Sequence, residues 1–191
     1  MDALFGIFSA FGLSASAGLN AYIPLLVVGV IAHYTNWIKL SQPYDLLANP
    51  WILILVSVLL IIEMLADKVP AVNHNNDIIQ TVFRPAAGAI VFAASAHAVT
   101  GVNPLLALAC GLLVAGSVHT VKAVAVRPAI TATTAGAGNV PVSIAEDVIA
   151  TVLSILSIVI PILVGVFLVI FVALIIWWFW RRAARRHQTV S

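Results

Sequence analysis

Long apolar runs, separated by short polar or proline-marked interruptions, fill this sequence, so its first reading is of membrane-length helices. The opening run, residues 3–34, would be about 48 Å long as one helix and would exceed a hydrocarbon core of about 30 Å. It must tilt, protrude or break. The expected break is at residues 14–20, Ser-Ala-Ser-Ala-Gly-Leu-Asn, with Pro24 just beyond. A second, shorter run opens at Asn49 and Pro50, an N-cap followed by a first-turn proline, and reaches about Ala66. Residues 67–84, which include Asn73, His74, Asn75, Asn76 and Asp77, read as a polar loop carrying a short capped helix through Phe83. The next two runs, residues 85–99 and 104–126, are joined by only four residues, Thr100 to Asn103. So short a link predicts an antiparallel hairpin.

After Arg127 and Pro128 come residues 129–139, Ala-Ile-Thr-Ala-Thr-Thr-Ala-Gly-Ala-Gly-Asn. They are too small and polar for a lipid-facing helix and too apolar for an ordinary surface loop, which predicts a re-entrant segment buried in protein. Residues 143–180 would extend about 57 Å as one helix, so Pro161 marks either a kink or a division in two. The fold class is therefore all-α: a polytopic membrane helical bundle of five or six spans, with interrupted or re-entrant segments and an internal, inverted repeat as one reading of them. In either count the spans from Pro50, Pro85 and Pro104 alternate in direction. That places Glu63 and Asp67 at the level of His119, Lys122 and Arg127.

Composition agrees with the pattern: 62% of the 191 residues are hydrophobic and 8% charged, against about 25% charged in soluble domains. The length suits one transmembrane domain, residues 1–180, followed by a basic tail, residues 181–191, and leaves no room for a separate enzyme domain. Of nine basic residues, Arg181, Arg182, Arg185 and Arg186 supply four. Beside Trp177, Trp178 and Trp180 they read as an interfacial anchor that sets a cytoplasmic C-terminus in a cell inner (plasma) membrane, and the cluster is too short for a nucleic-acid site. Residues 3–17 imitate a signal peptide, but Asp2 and the lack of Lys or Arg before the apolar core assign them to the mature bundle. The single Cys110 reads as a packing residue.

Candidate chemistry lies where charge or polarity interrupts the apolar runs. Glu63, about 18 Å along its helix from Trp51, is at hydrocarbon depth, where an ionisable side chain is a functional hypothesis by default. Asp67 follows at i+4, and two such carboxylates can hold a cation or share a proton; the alternative is an interhelical ion pair to Lys122 or Arg127. Glu146 and Asp147 resemble that pair, although Ser143 and Glu146 also fit a capping box that opens a helix. The interruptions at residues 14–20 and 131–139 share an alternating hydroxyl and small-residue pattern, then Gly and Asn. They nominate Ser14, Ser16, Asn20, Thr131, Thr133, Thr134 and Asn139 as ligands of a passing ion or solute. Close helix packing is the competing reading. His97 and His119 fall at different depths and make poor joint metal ligands. No zinc spacing, phosphate loop or nucleophile elbow occurs, so neither a cofactor nor an enzymatic activity is expected.

The Gly-Leu-Asn break with Pro24, the Glu63 segment, Arg84-Pro85-Ala86, and the Thr/Gly/Asn stretch with Glu146 and Asp147 downstream together resemble a bacterial family catalogued as a domain of unknown function. That resemblance covers most of the chain and implies a multi-span membrane protein without an assigned activity. A looser likeness joins Glu63, Asp67 and Lys68 to the Glu-x-Gly-Asp-Lys signature of small cation exchangers related to lysine exporters; here the Gly is missing and the spacing is one residue longer. The expected function is a small transporter or channel for an ion or small solute. Its partners would be the bilayer, that solute, and a second copy of the chain if dimerisation completes the pathway. A non-transporting scaffold, or a protein handling lipid phosphate through Lys122 and Arg127, is the alternative.

Overall fold

The computed structural model describes the backbone of residues 2–67 and 70–188; the side chains of His74, Asp77 and His97 lie outside what it describes. The chain is an all-α membrane helical bundle, and no strand occurs among the described residues. Among the described residues, three stretches, Ile79–Ala96, Pro104–Thr134 and Asn139–Val159, are long and apolar enough to cross a membrane.

The opening run breaks, one of the three outcomes its length allows. Helices α1 (Asp2–Leu19) and α2 (Tyr22–Tyr34) are separated by Asn20 and Ala21, so the interruption is narrower than residues 14–20. Asn20 Oδ1 accepts from the backbone N–H groups of Tyr22 and Ile23, both at 3.1 Å, which satisfies two donors that a helix start leaves open. Pro24 falls in that first turn, where no intrahelical N–H is needed. Phe5, Gly6 and Ser9 of α1 line the same cleft as residues 36–39 beyond α2, while Asn20 and Ala21 are fully buried. The two helices therefore form a hairpin whose outer ends share one end of the bundle and whose tip lies inside it.

Helix α3 (Pro50–Ala66) begins as expected, with Asn49 Oδ1 accepting from Trp51 N at 2.9 Å. The polar stretch after it does not form a loop. Helix α4 (Pro70–Thr100) runs unbroken through Pro85. The proline forfeits one backbone hydrogen bond, and the burial of Ala87, Val91, Phe92, Ala93 and Ala96 on the following turns offsets it. Local preference for a turn at the Asn-rich segment is a weak prior beside such packing.

Helix α5 (Pro104–Val121) is capped by Asn103, whose Oδ1 accepts from Leu105 N at 2.9 Å. Gly101, at φ +61°, makes the tight turn between α4 and α5. These two helices touch backbone to backbone: a Cβ on Gly111 would strike Gly88 O, and Ser14 Oγ of α1 donates to Gly111 O at 2.7 Å. Close approach through Gly, Ala and Ser is how bundles gain contact where lipid supplies no hydrophobic drive. Helix α1 occupies the centre, its Ala10, Leu13 and Ala17 packed on Ala87, Val91, Phe92, Ala107 and Ala115.

The helix does not stop at Arg127 and Pro128. It passes through a π-helical turn, Lys122–Val126, into α6 (Arg127–Thr134). Residues 131–135 are exposed, not buried in protein as a re-entrant segment would be. Their polar side chains satisfy their own turn: Thr134 Oγ1 donates to Ile130 O at 2.7 Å and accepts from Gly138 N at 2.9 Å, and Asn139 Nδ2 donates to Thr131 Oγ1 at 3.1 Å. Ala135 and Gly136, both at positive φ, then reverse the chain. Ser and Thr that bond to nearby backbone in this way need no larger cavity.

Helix α7 (Asn139–Val159) and helix α8 (Pro161–Gln188) divide at Ile160, which resolves the alternatives at Pro161 in favour of two segments. Helix α8 continues past Trp180 into the arginine cluster, and the Arg181 guanidinium lies 4.4 Å from the Trp177 ring centroid.

Candidate functional site

Among the described residues, seven charged side chains are buried together: Glu63, Asp67, Arg84, Lys122, Arg127, Glu146 and Asp147. They come from the end of α3, the first half of α4, the α5–α6 helix and the start of α7, and they surround the tip of the α1–α2 hairpin. Each buried ion carries a desolvation cost of several kcal/mol unless matched. The matching is by shared partners. Arg84 Nη2 donates to Glu63 Oε1 at 3.0 Å and to Asp67 Oδ2 at 3.5 Å. Arg127 Nη2 reaches the same Asp67 oxygen at 3.5 Å and Glu146 Oε2 at 3.1 Å. Lys122 Nζ lies 2.7 Å from Glu146 Oε2, and Ser143 Oγ donates to Asp67 Oδ2 at 3.4 Å.

The π turn explains how Lys122 and Arg127 both face this cluster. Residues five apart on a regular α-helix point about 140° away from each other. Here Arg127 N donates to Lys122 O, a bond spanning five residues, which widens the turn and returns both side chains to one side. His119, one turn earlier, is on that side too. Arg84 Nη1 lies 3.5 Å from its Nδ1 and Thr81 Oγ1 lies 3.2 Å from its Nε2. With Arg84 donating, a neutral His119 donates from Nε2 to Thr81.

At the hairpin tip each helix end meets a charge of the sign its dipole favours. Lys122 Nζ donates to Leu19 O, the last residue of α1, at 3.2 Å. Asp147 Oδ1 accepts from Asn20 Nδ2 at 2.9 Å beside the first turn of α2. Glu63 Oε2 and Gln80 Oε1 are buried acceptors with no hydrogen-bond donor among the described residues.

Of the residues nominated from sequence, Glu63, Asp67, Asn20, Lys122, Arg127, Glu146 and Asp147 come together here. The predicted level of Glu63 and Asp67 with Lys122 and Arg127 is met by direct contact between Asp67 and Arg127. Ser14 and Ser16 lie one to two turns away in helix packing: Ser16 Oγ donates to Ala150 O at 2.8 Å and lies 2.7 Å from Ser154 Oγ. Thr131, Thr133 and Thr134, exposed at the end of α6, and half-buried Asn139, at the start of α7, are outside the cluster. The capping role for Ser143 and Glu146 is corrected, because α7 starts four residues before Ser143 and both side chains point to the charges instead.

Arg84 and Ser143 were not nominated. Arg84 stands before a proline, where a chain usually leaves a helix, so it resembled a boundary residue. Its isolation between a polar, Asn-rich segment and an apolar run was the available signal. No group of three or more His, Cys, Asp or Glu side chains suited to a metal ion occurs among the described residues.

No curated protein and no solved structure matches this chain. A family model does match it, over residues 7–181, a stretch that includes every charged member of the cluster, and the chain accordingly belongs to the family described as domain of unknown function DUF4126.

Proposed function

We propose that the protein is a small membrane transporter or channel for an ion or small solute, and that the charge cluster at the hairpin tip is its site. The observation that carries this reading is the sharing of partners within a buried set: Asp67 lies between two arginines, and Arg127 lies between two carboxylates. A pair that only pins helices together needs one acid and one base. In a shared set, a cation or proton that neutralises one carboxylate leaves its arginine a second partner 3.1–3.5 Å away, so the exchange strands no buried charge. Glu63 Oε2 offers the incoming ion an acceptor that no described donor occupies. In this reading α1 and α2 act as a re-entrant pair, and their broken backbone supplies the polar groups at membrane depth that transport sites use. The arginine cluster of α8 sets a cytoplasmic C-terminus in the inner membrane.

Reconstituted proteoliposomes test this through counterflow of monovalent cations and protons under an imposed gradient. Glu63→Gln abolishes flux; unchanged flux in a folded variant removes Glu63 from the pathway.

A scaffold reading is favoured by one observation, the continuous helix through residues 14–19, whose Ser14 and Gly18 approach α5 at backbone distance. On that reading wild-type vesicles carry no flux, and Glu63→Gln changes only stability.

A further inference from the structure

At the opposite end of the bundle from the charges, the start of α1, the segment after α2 and the α7–α8 junction enclose an open cleft of 760 Å³. Phe5, Ile158, Val159 and Pro161 give it an apolar wall. Among the described residues, exposed Lys39 is the one charged residue that lines it, and no carboxylate does. Inside, Ser95 of α4 is 6% exposed, and its Oγ has no hydrogen-bond partner among the described residues. A serine within a helix ordinarily bonds back to its own ladder, so an unpartnered hydroxyl in a cleft wall is a donor held for something else.

The level of the cleft identifies the ligand class. Trp37, a lining residue, is 70% exposed, and Tyr34 and Trp51 at the same end are exposed as well. Exposed Trp and Tyr collect at the head-group level of a bilayer. A cavity at that level with an apolar wall, one basic residue and one buried hydroxyl fits an amphiphile with a single negative charge. We infer that this cleft binds an anionic phospholipid, its phosphate on Lys39 and Trp37, its glycerol oxygens toward Ser95, and an acyl chain along Phe5, Ile158 and Pro161. The volume is within the range of small-molecule sites, about 300–1,000 Å³.

The test is photolabelling of the full chain in phosphatidylcholine nanodiscs that contain a trace of photoactivatable phosphatidylglycerol. Labelled peptides fall on residues 5–9, 36–39 and 158–161. Unlabelled phosphatidylglycerol competes, whereas added phosphatidylcholine and soluble glycerol 3-phosphate do not. Lys39→Glu, an exposed position whose change leaves packing intact, lowers labelling about tenfold, as expected for reversing one charge near the membrane surface. Ser9→Phe fills the cleft while keeping Lys39, and it lowers labelling as well. Labelling spread evenly over the helices, equal competition by phosphatidylcholine, competition by soluble glycerol 3-phosphate, or full labelling of Lys39→Glu each overturns the assignment.

Discussion

Asn20 and Asp147 join the first helix break to the start of α7: the Asn20 side-chain amide donates to Asp147 Oδ1 at 2.9 Å while its carbonyl oxygen accepts from two N–H groups of α2. One amide side chain thus uses both of its ends, and no other residue type of its size can do so. Asn20→Ala removes the cap and deprives buried Asp147 of a donor, with an expected cost of about 2–4 kcal/mol. Asn20→Asp keeps an acceptor for the cap but sets two carboxylates together, and it is expected to be at least as damaging. Thermal unfolding in detergent checks the order: wild type highest, both variants well below. An Asn20→Asp protein as stable as wild type would refute the described pairing.

The π turn makes a prediction about chain length instead of side chains. Deleting Ala123 leaves Lys122 and Arg127 four residues apart, about 40° around a regular α-helix, so both still face Glu146 and Asp67. The deletion is therefore expected to cost much less than Arg127→Met, about 3 kcal/mol, which takes one of two bases from each of two buried carboxylates. The two changes combined are expected to cost little more than Arg127→Met alone. A deletion that lowers the unfolding midpoint as far as Arg127→Met would show that the extra residue does more than keep the two bases on one side.

Two glycines on α5 should respond oppositely to the same change. At Gly111 an added Cβ meets the Gly88 carbonyl, which cannot move without the α4 backbone, and Phe92 Cβ at 2.6 Å. At Gly116 it meets only the Pro85 ring, Cγ at 3.7 Å and Cβ at 3.9 Å, both ordinary contacts. Gly111→Ala is expected to destabilise by about 1–3 kcal/mol. Gly116→Ala is expected to be neutral or to stabilise slightly, since alanine loses less backbone freedom. Comparative melting of the two variants decides it.

Much of this architecture is readable from the residues where the physics is local. Asn49 and Asn103, each before a proline, announce α3 and α5 because a capping oxygen and a missing N–H act within one turn. The length of the opening run demands a tilt, a protrusion or a break, and the four-residue link fixes α4 against α5. Other features depend on partners far away in the chain. Ser143 and Glu146 have the spacing of a capping box, yet Asp67 and Lys122 claim them across 76 and 24 residues, and local spacing carries no trace of that. The Thr, Gly and Asn pattern of residues 131–139 is equally suited to a buried site and to a self-bonded turn; only its surroundings distinguish them. The π turn has no signature in composition at all, since one extra residue per turn leaves the apolar run unchanged.

The hairpin of α1 and α2 also sets an order of events during synthesis. Its polar tip is made 127 residues before the aspartate that pairs with it. At ribosomal rates of about 5–20 residues per second, that interval is on the order of ten seconds. Through that time Asn20 must be held by water, by the translocation machinery or by the unfinished bundle. Helices α1 and α2, made well before their partner, thus settle late, and α7 is the segment whose arrival locks them.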